Sequence, residues 1–265
     1  MIREIDEFVD AVQFSICTLV TDQNEYRTMV DSFRKAGFND ETSEFIFIDN
    51  SKGNKYDAYA GLNKMISVSS GKYIVLCHQD IELNYDNKEK LISRIAEIDS
   101  IDKSWAILSN AGGLHLKKRV ERMYYPHKEM NMGPFPFKVK SVDENFILLK
   151  KEANLGLSHD LSGFHLYGTD LCIHAYTAGY SAWVIDFALL HKSTGNINES
   201  FYTNKRELIA KYTKAFQSRY IRSTCTTLYI SGNWLYTLTM NSRFFIFINK
   251  AVRKLRRAFN SSYYY

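Results

Sequence analysis

The stretch IVLCHQDIEL, residues 74–83, decides how this chain is read. Ile74–Cys77 is a continuous apolar run, the pattern of a strand buried on both faces. It turns polar at once, presenting an imidazole, an amide and a carboxylate at His78, Gln79 and Asp80. Open α/β sheets collect ligand groups outside the carboxyl ends of their strands. This strand end is therefore the first place to expect a site.

The surroundings supply the sheet. FSICTLV (14–20) reads as a first strand, and TDQNEYRTMVDSFRKAGF (21–38) as a helix. Thr21 or Asp22 can cap that helix, Tyr26, Met29, Val30 and Phe33 form its apolar stripe, and Gly37 can end it. EFIFIDN (44–50) is a second strand ending in Asp49-Asn50. A helix over about 56–69, with Leu62, Met65 and Ile66 inward, feeds the strand KYIVLC. LISRIAEI (91–98) is helical in pattern, and WAILSNAGG (105–113) is a strand running into glycines. Strand and helix alternate from 14 to about 110, the signature of βαβ units on a mainly parallel sheet.

Residues 114–137 hold Arg119, Arg122 and all three prolines, Pro126, Pro134 and Pro136. They read as a long surface loop, and a loop that long is usually functional. FKVKSVDENFILLKK (137–151) is extended, a hairpin or a strand crossing the sheet. A helix over about 167–178 ends at Gly179, SAWVID is a strand, and LLHKSTG is its polar exit. Beyond 201 the pattern is helical. The expected division is an α/β domain over 1–200 and a helical extension over 201–265.

Composition bounds the class. Hydrophobic content of 45% and charged content of 24% suit a soluble globular protein. Cys17, Cys77, Cys172 and Cys225 form no C-x-x-C pair and read as reduced thiols. MIREIDEFVD lacks the basic and apolar regions of a signal peptide. No apolar run approaches the roughly 20 residues of a spanning helix, so a cytoplasmic protein is expected. Arg243, Lys250, Arg253, Lys254, Arg256 and Arg257 carry the basic excess; removing those six from the net charge of +5 leaves the first 242 residues at −1. A near-neutral body without a reader motif argues against a nucleic-acid partner.

The turn after the first strand is TDQNEYR, without a glycine. That excludes the G-x-G-x-x-G turn of a dinucleotide-binding domain and the P-loop. It also denies a nucleotidyltransferase the Gly-rich, Arg-bearing turn that it needs. Phosphates could instead be held through a divalent metal, Mn²⁺ or Mg²⁺, bound by carboxylates at strand ends. Asp80 is placed for that, His191 could complete the shell, and Asp49-Asn50 would share the rim. Each also has a plainer explanation, since a strand-end aspartate often caps a turn and a lone histidine is more often part of a core or surface.

Taken together, these segments resemble the family 2-like glycosyltransferases of the GT-A fold. The resemblance runs from Phe14 to about Gly195. It rests on Asp49-Asn50-Ser51, on Leu62-Asn63, on His78-Gln79-Asp80 in place of a D-x-D motif, on Gly163-Phe164-His165-Leu166-Tyr167-Gly168-Thr169-Asp170, and on His191-Lys192-Ser193. The HQD form is similar to a branch of mostly bacterial, polysaccharide-building enzymes. The resemblance implies a Rossmann-like, mainly parallel mixed sheet flanked by helices. It implies an inverting transfer of a sugar from a nucleotide donor, UDP-sugar first, to a hydroxyl of a growing, lipid-linked surface glycan. Thr18, Val20 and Asp49 would lie near the nucleoside, Asn63 beside the ribose or diphosphate, and His78, Gln79 and Lys192 around the donor. Asp80 and His191 would hold the metal, and Asp170 would be the general base on the acceptor.

The chain departs from the family pattern at His78, where the first aspartate of D-x-D stands, and at Gly168-Thr169-Asp170, which lacks a Glu-Asp pair. Those departures keep a second reading open, a catalytically inactive glycan- or membrane-binding relative. Asp170 also has the alternative role of capping the helix LCIHAYTAGY. His165 and His174 have no zinc spacing. In the tail, Ile248, Val252, Leu255 and Phe259 fall at helical spacing among basic residues, the pattern over 243–259 of a helix lying on an anionic membrane. A solvated terminal helix has the same pattern.

Overall fold

The computed structural model describes residues 11–114, 118–193, 195 and 197–259; MIREIDEFVD and the terminal SSYYY lie outside the described residues. Strand β1 (Val12–Val20), helix α1 (Gln23–Lys35), β2 (Ser43–Asp49), α2 (Ala58–Val68) and β3 (Gly71–Cys77) form two successive βαβ units. Both crossovers return the chain parallel to β1, which lies between β2 and β3. Asp22 caps α1 by accepting from the N–H groups of Asn24 and Glu25 at 2.7 and 3.1 Å. Gly37, at φ +96°, supplies the left-handed residue that ends it. Tyr26, Met29 and Phe33 are buried against the sheet, as their spacing predicts.

After β3 come β4 (Ile81–Glu82), α3 (Lys88–Ile101), β5 (Trp105–Ser109) and β6 (Ala111–Gly113). Next are β7 (Arg119–Tyr125), β8 (Lys128–Met132), β9 (Phe137–Val139), β10 (Ser141–Val142), β11 (Phe146–Lys150), α4 (Tyr167–Thr177), β12 (Ser181–Val184) and β13 (Leu190–His191). The main sheet has the order β2-β1-β3-β11-β5-β12-β9. It is mixed, because β11 runs antiparallel between β3 and β5. Its apolar side chains, from Phe14 and Ile16 to Phe146 and Leu148, are fully buried and form one core with α1 and α3.

A second sheet, in the order β10-β6-β7-β13-β4 with β8 outside β7, stands beside the first. It corrects the expectation of a loop over 114–137: most of that segment is the hairpin of β7 and β8. The strand was hidden because Val120, Glu121 and Met123 are all buried, which breaks the alternation that marks a strand. The Glu121 carboxylate is held there by an ion pair with Arg119 and a 3.1 Å hydrogen bond from the Tyr125 hydroxyl.

Residues up to Arg206 form one compact unit and those from Glu207 a second. Helix α5 (Glu199–Ala215) spans that boundary. The second unit is not all helix, contrary to the helical pattern read beyond 201. It contains the antiparallel hairpin of β14 (Arg219–Arg222) and β15 (Thr227–Ile230), then α6 (Trp234–Met240) and α7 (Arg243–Phe259). RYIR and TLYI are short β-rich runs around a polar turn, easily lost between longer helical patterns. Phe244, Phe247, Ile248 and Val252 of α7 are exposed. The side chains of Lys250, Arg253 and residues from 255 onward, including Leu255 and Phe259 of the expected stripe, lie outside the described set. Among the described residues no helix is long and apolar enough to cross a membrane.

Candidate functional site

The site is built at the carboxyl end of β3, where the apolar run stops. Two neighbours fix the course of the chain beyond Cys77. On one side, β11 pairs with β3 so that Phe146 lies opposite Cys77, and the His78 N–H bonds the Asn145 carbonyl at 3.1 Å. On the other, the two-residue strands β4 and β13 pair with Leu190 opposite Glu82 and His191 opposite Ile81. The Lys192 N–H then bonds the Asp80 carbonyl at 3.0 Å. Two residues more than 100 positions apart are thereby placed side by side.

The result is a cluster of His78, Asp80 and His191, whose potential ligand atoms lie within 4.8 Å of one another. Asp80 Oδ1 is 3.4 Å from His191 Nε2 and 3.9 Å from His78 Nδ1. Burial works to raise the Asp80 carboxyl, but the hydrogen bond and charge of His191, with Ser193 and His78 behind them, hold it well below the usual range. Burial, then the neighbouring His191, lowers His78. The ligands of one divalent ion, at about 2.1 Å from it, stand roughly 3–4 Å apart. Both separations have that size. Two imidazoles and a carboxylate could together hold one ion and leave positions open for other ligands, and imidazole suits a transition-metal ion better than Mg²⁺. The donor set fits a divalent cation.

Beside the cluster lies a cleft of about 280 Å³, lined by Leu19, Thr21, Asn50, Gln79, Phe164 and Tyr167 among others. Gln79 is committed within it. Its Oε1 accepts from the N–H groups of Thr21 and Asp22 at 2.7 and 3.0 Å, and its Nε2 donates to Thr21 Oγ1 and Glu25 Oε2 at 2.9 and 3.1 Å. This clamp shapes the turn after β1 without any glycine. Asp49, exposed at the end of β2, accepts from the Ser51 N–H at 2.9 Å. Its carboxyl is lowered by the Ser51 hydroxyl and N–H. Asn50 is buried and ties down the loop to Tyr56.

Several expected site residues stand elsewhere. Thr18 and Val20 have no exposed surface, and the Thr18 hydroxyl faces Cys77 Sγ at 3.4 Å. Asn63 is spent on the chain at Leu157, donating to its carbonyl at 2.9 Å and accepting from its N–H at 2.8 Å. Lys192 pairs with Glu82 at 2.7 Å and lines a separate hollow of about 510 Å³ with Arg119, Tyr125, His127 and Lys128. Asp170 departs most. It is fully buried, and both its oxygens accept from Ser158, from the N–H at 2.8 Å and the hydroxyl at 2.7 Å. It caps no helix end, since Leu166 is the residue at that position. A carboxylate so placed cannot reach an acceptor hydroxyl in this conformation.

Tyr167 and Glu144 belong to the rim and were not anticipated. The Tyr167 hydroxyl is 3.1 Å from His78 Nε2 and donates to the Glu144 carbonyl at 3.1 Å. The Gly168 N–H donates to Glu144 Oε1 at 3.3 Å. Glycine is required at 168, because a Cβ there would lie 2.6 Å from the Val142 carbonyl oxygen.

Solved structures share this architecture. Residues 1–349 of TarS from S. aureus, in complex with UDP-GlcNAc, superpose with a TM-score of 0.52 at 14% identity, covering 76% of this chain and 66% of that one. The mannosyltransferase PcManGT from Pyrobaculum calidifontis, in complex with GDP-Man and Mn²⁺, gives 0.50 at 11%, covering 77% and 64%. The chain has the GT-A glycosyltransferase fold. It spans less than two thirds of either structure's length, and at these identities the likeness is one of fold. A protein of Fuscovulum blasticum named ATP synthase subunits region ORF 6 is 29% identical over 236 residues, 86% of this chain and 95% of its own. No family model matches the chain.

Proposed function

We propose that the chain is a metal-dependent glycosyltransferase, moving a sugar from a nucleotide donor to a hydroxyl of an acceptor glycan. The observation that carries this reading is the His78–Asp80–His191 cluster, set at the strand-end rim of a GT-A sheet beside an open cleft. A divalent ion there, Mn²⁺ or Mg²⁺, would offset the negative charge that develops on the departing diphosphate. The chain's own residues do the rest. Asp80 and the two histidines would hold the ion, Ser193 steadies His191 at 3.3 Å, and Tyr167 steadies His78. Gln79 keeps the turn at Thr21–Glu25 shaped as the wall of the nucleotide cleft, and Asp49 stands exposed at the end of β2.

The donor nucleotide is left to experiment between UDP and GDP, with UDP first. The HQD motif supports a role in building bacterial polysaccharide. A single attacking hydroxyl opposite the diphosphate would invert the anomeric centre. The exposed apolar residues of α7, in a tail whose sequence is rich in basic residues, suit an enzyme resting on the cytoplasmic face of a membrane that carries a lipid-linked acceptor. The burial of Asp170 favours the second reading, a catalytically inactive glycan- or membrane-binding relative of the same fold.

The test is calorimetric titration with UDP, GDP and dTDP, each with and without Mn²⁺, followed by turnover of the matching sugar nucleotides. Metal-dependent binding with turnover supports the transferase, binding without turnover supports the inactive relative, and no nucleotide binding removes the transferase reading.

A further inference from the structure

With Asp170 buried on Ser158, the reaction lacks a base at the position where the sequence seeks one. The rim supplies another carboxylate. The pairing that sets Phe146 opposite Cys77 carries the chain upstream of β11 past the end of β3, so Asn145 meets His78 and Glu144 comes next along the rim. Tyr167 lines the nucleotide cleft and joins His78 to the Glu144 carbonyl through one hydroxyl. The Glu144 carboxylate rests on the first turn of α4 through the Gly168 N–H, and it is mostly but not fully buried. Its neighbour Asp143 is not equivalent, since Asp143 Oδ1 turns back to accept from both nitrogens of Asn145, at 3.0 and 2.6 Å.

Resting on the transferase reading, we propose that Glu144 is the general base of the reaction. The acceptor oxygen forms a bond to C1 of the donor sugar as the bond from C1 to the diphosphate oxygen breaks. The electron pair of that bond leaves with the nucleoside diphosphate, and the acceptor's proton passes to a Glu144 carboxylate oxygen. The close approach of Gly168 to Val142 gives this arrangement its precision, because it holds the start of α4 against the strand that precedes Glu144. Burial, and next the charge of Asp143, push the Glu144 carboxyl up to about 8, while N–H groups of Gly168, Tyr167 and Leu166 pull the other way. A base is most effective when its affinity for the proton lies near the working pH.

Glu144→Gln tests the proposal, because the amide oxygen still accepts from the Gly168 N–H. The probes are UDP-GlcNAc and GDP-mannose with Mn²⁺, with water taking the acceptor's place and release of UDP or GDP as the readout. We expect the variant to lose about 10²–10⁴-fold in turnover, with Mn²⁺-dependent affinity for UDP or GDP unchanged. Turnover at the wild-type rate would overturn the assignment while leaving the transferase reading intact. Loss of nucleotide affinity together with turnover would make Glu144 a structural residue and also overturn it. A wild-type protein that binds neither nucleotide would remove the underlying reading itself.

Discussion

Ser158→Ala separates the structural and chemical roles open to Asp170. The substitution deletes one hydroxyl, which donates to Asp170 Oδ1 at 2.7 Å, and leaves the backbone bond to Oδ2 in place. Both residues are buried, so water does not substitute freely for the lost donor. A hydrogen bond to a charged group contributes about 1.5–3 kcal/mol. For a chain of this size, about 2 kcal/mol corresponds to a fall in melting temperature of roughly 4–8 °C. Differential scanning calorimetry and urea unfolding measure the loss, and an unchanged urea slope would show that the unfolded state is not the cause. Asp170→Asn should destabilise the protein in the same direction. Nucleotide affinity should survive Ser158→Ala at temperatures where the protein is folded. A melting temperature equal to wild type, together with lost turnover, would refute this reasoning and return Asp170 to the chemistry.

The same geometry sets further outcomes. Gln79→Ala removes the four bonds that shape the turn after β1, and nucleotide binding should weaken about tenfold by calorimetry. Gly168→Ala forces a Cβ to 2.6 Å from a backbone oxygen; the start of α4 must shift, at a cost of about 1–3 kcal/mol in urea unfolding. Burial tends to raise the Asp102 carboxyl, but Ser181, Lys138, the Ser104 N–H and Trp183 together hold it at about 2. Its folded value lies below the unfolded value of about 3.9, so its contribution is complete above that pH and is lost as pH falls from about 4 to about 2. Asp102→Asn should flatten the acid limb of a stability-versus-pH curve over that window, and a limb as steep as wild type would contradict the assignment.

Much of this was legible in the sequence, for physical reasons. The βαβ units announce themselves through apolar runs, an Asp22 cap and a Gly37 stop, all of which are local. The candidate metal cluster was readable in part, because strand ends are where polar triplets have no core role to fill, and the structure brings His78, Asp80 and His191 together. The features that escaped depend on distant contacts. Thr18, Val20 and Asn63 lie near the right rim in sequence, yet strand pleat and loop packing turn their side chains elsewhere. Asp170 has a motif-like setting, but Ser158, twelve residues upstream, captures it. Glu144 stands at the amino end of an antiparallel strand, and only the register with β3 shows that this end shares the rim. The β7–β8 hairpin hid behind a buried glutamate.

The central claim is that His78, Asp80 and His191 hold a divalent cation. Electron spin-echo spectroscopy of Mn²⁺ added to the protein with UDP or GDP tests it directly. The account predicts nitrogen coupling from imidazole ligands, reduced in His191→Ala and abolished with all bound Mn²⁺ signal in Asp80→Ala. A spectrum of hydrated or nucleotide-bound Mn²⁺ without imidazole nitrogen, identical in wild type and both variants, would contradict it.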